Sequence, residues 1–216
     1  MPCTTIERTT TVNPVIHEFV IRKPEVAKIR VLHIASFSGN IGDNASHQGL
    51  ANVLGSLLPD YKITRLEIRN FYKNAKKPHK KYFDESFVEY VNSFDLVIFG
   101  GGGYLDYWVE GSATGCTFDI EARYMDRIKV PFLLASLGCV PGKQVPNGNS
   151  EKFLLFLKKI AELDNFQLLL RNDGSLAHIK KKFGSSLAMN FATILDNAFH
   201  YSLESAFSLP SSRPFV

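Results

Sequence analysis

Residues 29–43, IRVLHIASFSGNIGD, decide the fold. The run from Ile29 to Phe37 is apolar almost throughout, which is typical of a β-strand covered on both faces. A loop with two glycines follows, and apolar residues then recur at helical spacing over about 45–58, until Pro59 ends the pattern. A buried strand, a glycine loop and a helix form the opening of a βαβ unit, so this stretch predicts an α/β fold with a parallel sheet.

The same alternation of apolar runs and amphipathic stretches continues along the chain. Further strands are predicted at YKITRLEI (61–68), DLVIF (95–99), PFLLASLG (131–138), QLLLR (167–171) and SLAMNFATIL (186–195). Helices are predicted from Asp84, over about 118–128, from Ser150, and over about 173–183. The alternating pattern of YKITRLEI indicates a strand nearer the sheet edge. Together the elements predict a Rossmann-like, doubly wound parallel sheet.

Composition and charge narrow the class of protein. The 216 residues, 45% hydrophobic and 21% charged, fit one large domain. We expect residues 1–28 to form an irregular lead-in and residues 29–216 to form the domain. The net charge of +4 suits an anionic small molecule or glycan and falls short of a nucleic-acid-binding composition. The three cysteines share no metal-binding spacing, so we expect no metal and a reduced, cytoplasmic protein. No stretch has the roughly 20 apolar residues that a membrane helix needs.

Candidate ligand-binding residues follow the strands. In an open parallel sheet ligands bind beyond the carboxyl ends of the strands, where this sequence places SGNIGDN, GGGGYLDYW, SLGCVPG and RNDGS. In the first of these loops Gly39, Asn40, Gly42 and Asp43 fit an anion or ligand site at a helix N-terminus. The alternative is that Asp43 or Asn44 only caps the helix while the glycines make the turn.

The four consecutive glycines, 100–103, lie at the end of the third strand. They are not a dinucleotide fingerprint, because Leu105 and Asp106 occupy positions that the GxGxxG pattern reserves for glycine. A tight turn packed against its neighbours is one explanation. We favour close approach of a ligand to Gly101, Gly102 and Gly103, since four glycines exceed what a turn needs.

Three further features each have two interpretations. Arg171, at the end of QLLLR, could grip a carboxylate or phosphate, or pair with Asp173. His47, in the first turn of the first helix, is placed for proton transfer or is a partly exposed helix histidine, whereas His33 fits a satisfied core residue. The basic segment 73–81 could contact an anionic glycan or RNA, but a solvated loop is the commoner outcome.

Three segments resemble landmarks of the polysaccharide pyruvyl transferase family. They are GNIGD (39–43), DLVIFGGGGYL (95–105) and LLLRNDGSLAHI (168–179), in the family's order, and TILDNAF (193–199) is similar to a weaker fourth. The resemblance covers about residues 29–199. It departs from the family at Asn172, which separates Arg171 from Asp173, and at the family's second domain, which would begin where this sequence ends.

The resemblance implies one half of a two-domain, glycosyltransferase-B-like architecture with its cleft between the halves. It implies transfer of a pyruvyl group from phosphoenolpyruvate to a hexose of a glycan, with neither a metal nor a nucleotide cofactor. This half would bind the sugar, with Asp43 as base or hydroxyl-orienting group, His47 in proton transfer, Asn40 and Gly101–Gly103 holding ligand oxygens, and Arg171 as anion clamp. A second copy of the chain could stand in for the second domain. A nucleotide-sugar transferase, a non-catalytic glycan-binding domain, and a nucleic-acid binder using segment 73–81 are the competing functions.

Overall fold

The computed structural model describes residues 28–37 and 41–202. Six parallel strands form one sheet in the order β2-β1-β3-β4-β5-β6. Their bounds are β1 Ile29–Ala35, β2 Tyr61–Glu67, β3 Leu96–Gly102, β4 Phe132–Leu137, β5 Phe166–Arg171 and β6 Ala192–Ile194. Helices flank this sheet, so the predicted Rossmann-like α/β class is confirmed.

Six α-helices connect the strands. They are α1 Ile41–Leu57, α2 Glu85–Val91, α3 Ala122–Met125, α4 Asn149–Glu162, α5 Ser175–Phe183 and α6 Ser185–Ala188, with 3₁₀ turns at Ile68–Phe71 and Asn197–His200. No helix among the described residues is long and apolar enough to cross a membrane. The strand order means that the chain steps from β1 to the edge strand β2, returns across β1 to β3, and then proceeds outward to β6.

The two faces of the sheet are covered unequally. On one face Leu50 and Leu54 of α1 form a small buried apolar cluster with three side chains of the sheet, Val31, Ile98 and Ala135. The other face carries a large core rich in aromatic rings, in which Phe118 stacks on Phe132 at 5.5 Å and Phe132 on Phe166 at 4.9 Å between centroids. Because β1 and β3 contribute buried side chains to both clusters, their sequences are apolar almost throughout.

The edge position predicted for the second strand is confirmed. β2 pairs with β1 alone, and none of its residues is fully buried. The predicted cap of α2 is also confirmed, since the Asp84 side chain accepts hydrogen bonds from the backbone N–H groups of Ser86 and Phe87.

Two predicted helices differ in extent. The first helix begins at Ile41, four residues before the predicted start, so it includes Asp43. The helix predicted over 118–128 is only the single turn α3. The reason is that Thr114 Oγ1 donates to the carbonyl of Phe118 at 2.8 Å, which holds the preceding segment in an irregular, buried conformation.

The last predicted strand, 186–195, is wrong over its first half. Gly184, with φ of 104°, ends α5, and a further helical turn, α6, follows at once. Only Ala192–Ile194 pair with β5. The apolar residues Leu187 and Phe191 are buried at helical rather than strand spacing, which explains why a continuous apolar run misled the prediction.

Two glycines of α1 offer a matched test of packing. A Cβ on Gly49 would lie 1.8 Å from the carbonyl oxygen of Asn197, whereas a Cβ on Gly55 would meet only the Tyr61 hydroxyl at 3.6 Å. We expect Gly49→Ala to lower the free energy of unfolding by about 3 kcal/mol, because a backbone turn must move. Gly55→Ala should raise it by about 0.5–1 kcal/mol through helix propensity. Urea unfolding of both variants checks this; equal effects would contradict the close contact.

Candidate functional site

The loops after the first five strands are joined to one another at the carboxyl edge of the sheet. Four hydrogen bonds make the links: Ser36 N to Tyr104 Oη at 3.0 Å, Phe37 N to Glu67 Oε2 at 2.9 Å, Leu105 N to Gly138 O at 3.2 Å, and Cys139 N to Ser175 Oγ at 2.9 Å. The described parts of these loops therefore lie side by side along one edge of the sheet. We call this set of loops the carboxyl rim.

Packing explains much of the glycine run. A Cβ on Gly100 would lie 1.8 Å from the Ala135 carbonyl oxygen, and one on Gly102 would lie 2.9 Å from the Tyr104 ring. Gly101 has φ of 84°, a conformation that favours glycine, and a Cβ there would lie 2.8 Å from Ser46 Oγ. These contacts account for the glycines without a ligand. Ligand binding at Gly101, Gly102 and Gly103 stays a prediction.

The first glycine loop is only partly described. Gly39 and Asn40 lie outside the described residues, and Gly42 is exposed in the first turn of α1. Capping by Asp43 or Asn44 is wrong, because both residues lie inside the helix. In the first turn the Asp43 carboxylate is stabilised by the helix dipole. Burial raises the pKa of the Tyr104 phenol above its ordinary value, and the Asp43 and Glu67 charges add to that effect, which places both carboxylates near this ring.

His47 lies in the second turn of α1 and is only 8% exposed. Both expectations for its setting, the first turn and partial exposure, are therefore wrong. Its Nε2 lies 2.7 Å from the Ser36 carbonyl oxygen, which fits a tautomer that donates from Nε2. Its ring packs 4.6 Å from Phe37 and 5.1 Å from His33, so the imidazole connects α1 to the end of β1.

Four buried polar atoms without hydrogen-bond partners surround this junction. They are His33 Nε2, Ser36 Oγ, Ser46 Oγ and His47 Nδ1. The expectation that His33 is a satisfied core residue is wrong at Nε2. An unpartnered buried polar atom costs about 1–3 kcal/mol, and four at one junction favour a polar group or water between α1 and the sheet.

Arg171 forms ion pairs with two carboxylates. Its Nη2 lies 2.7 Å from Asp173 Oδ2, and its Nη1 lies 3.4 Å from Asp196 Oδ2. The predicted alternative, pairing with Asp173, is therefore confirmed. The inserted Asn172 does not displace Asp173, whose Oδ1 also accepts from Ser175 N at 3.1 Å and so fixes the start of α5. The guanidinium is held inside the rim by negative charge.

Asp106 is the functional candidate that the sequence reasoning missed. It lies after the glycine run, and its carboxylate stands 3.2 Å from where a Cβ on Gly103 would lie. Burial raises the Asp106 pKa to about 6, although Trp108 donates a hydrogen bond to it and Arg171 adds a favourable charge. A carboxyl group that titrates near neutrality suits general acid–base work. The signal was present in GGGGYLDYW, as an acid just past the carboxyl end of a buried strand.

Comparison of the chain with models of known protein families, with curated proteins and with solved structures gave no match. The resemblance to pyruvyl transferases therefore rests on the sequence segments alone. In the part of the chain that the structure describes, no group of three or more His, Cys, Asp or Glu side chains could hold a metal ion.

The buried His33 makes stability sensitive to acid. Burial lowers its pKa to about 3, with a smaller contribution from His47. Because the folded-state pKa lies below the unfolded value of 6.5, the unfolded chain takes up the proton first as pH falls. The titration of His33 should therefore lower the free energy of unfolding by about 2 kcal/mol between pH 6.5 and pH 5. Urea unfolding across this pH range should show that His33→Asn loses less free energy of unfolding than the parent protein. An identical dependence on pH in both would show that His33 is not the group responsible.

The titration of Asp106 should change the stability of the fold in the opposite direction, lowering it as pH rises. Its folded-state pKa of about 6 lies above the ordinary 3.8, so its ionisation destabilises the fold as pH rises through this window. Allowing for its partial exposure, we expect Asp106→Asn to raise the free energy of unfolding by about 1 kcal/mol at pH 7 and hardly at all at pH 4. The same urea series measures this, and equal gains at both pH values would show that titration is not the cause.

Proposed function

We propose that the chain is the acceptor-binding half of a pyruvyl transferase that acts on a hexose of a glycan, with phosphoenolpyruvate as co-substrate. The observation that carries this proposal is Asp106. A half-buried carboxyl group with a pKa of about 6 stands just beyond a central strand, beside the Gly103 backbone and the Trp108 indole. Such a group can take a proton from a sugar hydroxyl at neutral pH.

The reaction sets clear demands on the residues. One sugar hydroxyl adds to C2 of the enol phosphate: a C–O bond forms, the C2–C3 double bond becomes single, a base takes the hydroxyl proton, and a general acid protonates C3. A second hydroxyl then forms the other C–O bond while the bond from C2 to the phosphate oxygen breaks, and the proton of that hydroxyl leaves with the inorganic phosphate. We assign the role of base to Asp106. Asp43 would orient a sugar hydroxyl, and His47 would hold α1 against the end of β1.

Charge at the carboxyl rim favours hydroxyls over anions. Asp173 and Asp196 neutralise Arg171 and leave an excess negative charge beside it. Carboxylates accept hydrogen bonds from sugar hydroxyls and repel phosphate. We therefore do not assign anion binding to Arg171. Phosphoenolpyruvate would instead bind cations of a second domain, in the glycosyltransferase-B-like arrangement, or of a second copy of this chain.

The cellular compartment forms part of the same proposal. Cys116 and Cys139 are buried free thiols, and burial raises the pKa of each to about 12, so both are held in the unreactive form. Free thiols are usual in a reducing compartment, and we place the enzyme in the cytoplasm, where it would meet its sugar precursor.

Phosphorus NMR tests the activity directly. The chain is mixed with phosphoenolpyruvate and a pool of hexosides, and inorganic phosphate should grow only when acceptor is present. Asp106→Asn should lower this rate by about a hundredfold or more, because the amide cannot take the proton. Asp164→Asn, the same change at the exposed amino end of β5, serves as the control and should leave the rate unchanged.

The other outcomes identify the competing functions. Loss of activity in Asp43→Asn rather than Asp106→Asn would move the base role to Asp43. An unchanged phosphorus signal, with hexoside binding that still weakens in Asp106→Asn, would indicate that the chain binds a glycan but does not transfer a pyruvyl group by itself. Release of a nucleoside diphosphate from a nucleotide sugar would instead identify a glycosyltransferase.

A further inference from the structure

A cleft of about 490 Å³ lies apart from the candidate site residues. One wall is the segment 71–84 that leads from the first 3₁₀ turn to α2, and the other is the loop 111–121 that follows β3. Lys152 of α4 completes it. Neither Asp106 nor Arg171 lines this space, so its chemistry does not depend on those two residues. We call it the lysine cleft.

Four lysines line the lysine cleft, and one of them is neutralised. Lys73 forms an ion pair with Asp119. Among the described residues, Lys80, Lys81 and Lys152 have no carboxylate partner. The ammonium of Lys80 donates to the Tyr72 carbonyl, and that of Lys152 donates to the Ser112 carbonyl at 3.3 Å. Each of these contacts leaves donor capacity unused, since an ammonium has three hydrogens.

The acidic residues of the lysine cleft are occupied elsewhere. Asp84 caps α2 by accepting from Ser86 N at 3.1 Å. Asp119 accepts from Ala113 N at 2.6 Å in addition to its pair with Lys73. Glu121 pairs with Arg123, which does not line the space, at 2.9 Å. After the pairs of Lys73 with Asp119 and of Glu121 with Arg123, the cleft keeps the charges of Lys80, Lys81 and Lys152 against that of Asp84, so its remaining charge is positive.

Crowding of the cations is visible at Lys80. Burial lowers the pKa of its ammonium and the nearby charge of Lys73 lowers it further, although the charge of Asp119 acts in the opposite direction. A bound anion would relieve both effects, because it replaces lost solvation and screens the like charges.

An aromatic side chain stands beside the cations. Tyr82 is 60% exposed, and Lys80 Nζ lies 5.3 Å from the centroid of its ring. The rings of Phe71 and Tyr124 add apolar surface to the same space. An exposed ring next to unpaired ammonium groups suits an organic ligand that carries phosphate better than a bare ion.

We propose that the lysine cleft binds a small phosphorylated ligand, with the phosphate held by Lys80, Lys81 and Lys152 and the organic part lying on Tyr82. This goes beyond the proposed function, because none of the residues assigned to pyruvyl transfer lines the cleft. A compact space lined by four lysines favours a small molecule over a nucleic-acid strand, which would track an extended basic surface.

Isothermal titration calorimetry with pyrophosphate and phenyl phosphate tests the proposal on the full chain at low salt. Lys81→Gln and Lys152→Gln should each weaken pyrophosphate binding about tenfold, since each removes a charge-assisted hydrogen bond. Tyr82→Ala should weaken phenyl phosphate binding more than pyrophosphate binding. Lys76 and Lys77 are exposed lysines of the same segment that do not line the cleft, so Lys76→Gln and Lys77→Gln are matched controls. Each control should change the affinity for either probe by no more than about twofold.

Three results would overturn the proposal. The first is an absence of saturable binding of either probe. The second is an equal loss in the Lys76 and Lys77 controls, which would indicate a diffuse basic surface. The third is tighter binding of a single-stranded RNA 12-mer that depends on all the lysines alike, which would indicate a nucleic-acid interface. Circular dichroism melts of each variant show whether it is folded, and the binding readout does not depend on turnover.

Discussion

A series of close backbone contacts runs across the carboxyl edge of the sheet and begins where β3 meets β4. At Gly100 the two strands approach so closely that a side chain would strike the Ala135 carbonyl. The next residue of β4, Ser136, has φ of 55°, and its hydroxyl accepts from Asn197 N at 3.3 Å. The carbonyl of Asn197 in turn lies against Gly49 of α1. The position of α1 therefore depends on contacts that only glycine or a strained backbone permits.

Electrostatics divides the molecule into two regions of opposite character. At the carboxyl rim the guanidinium of Arg171 is enclosed by Asp173 and Asp196, and Asp106 stays partly protonated near neutral pH because burial disfavours its charge. In the lysine cleft Lys80, Lys81 and Lys152 form no ion pair with a described carboxylate and outnumber Asp84, which caps α2. One region is suited to hydroxyl groups and the other to anions, and this division follows from which charges are paired rather than from the net charge of the chain.

Sequence patterns predicted the sheet well because buried parallel strands are strongly apolar. The predictions failed where local hydrogen bonds decide the backbone, as at Thr114, or where a glycine with positive φ ends an element, as at Gly184. For the candidate site, topology alone placed the glycine loops at one edge. The partners of Arg171 and the raised pKa of Asp106 could not be predicted, because both depend on burial and on side-chain contacts between residues distant in sequence.

The unequal covering of the sheet has a consequence for motion. The face under α1 is closed by few buried apolar side chains, whereas the opposite face is closed by the stacked aromatic core. Regions held by fewer apolar contacts open at lower free energy than the rest of a domain. Local opening of α1 would hydrate His33, Ser36, Ser46 and His47 while the aromatic half stays folded. The α1 side of the sheet thus belongs to the part of the described domain that opens at lower free energy, and its opening requires no global unfolding.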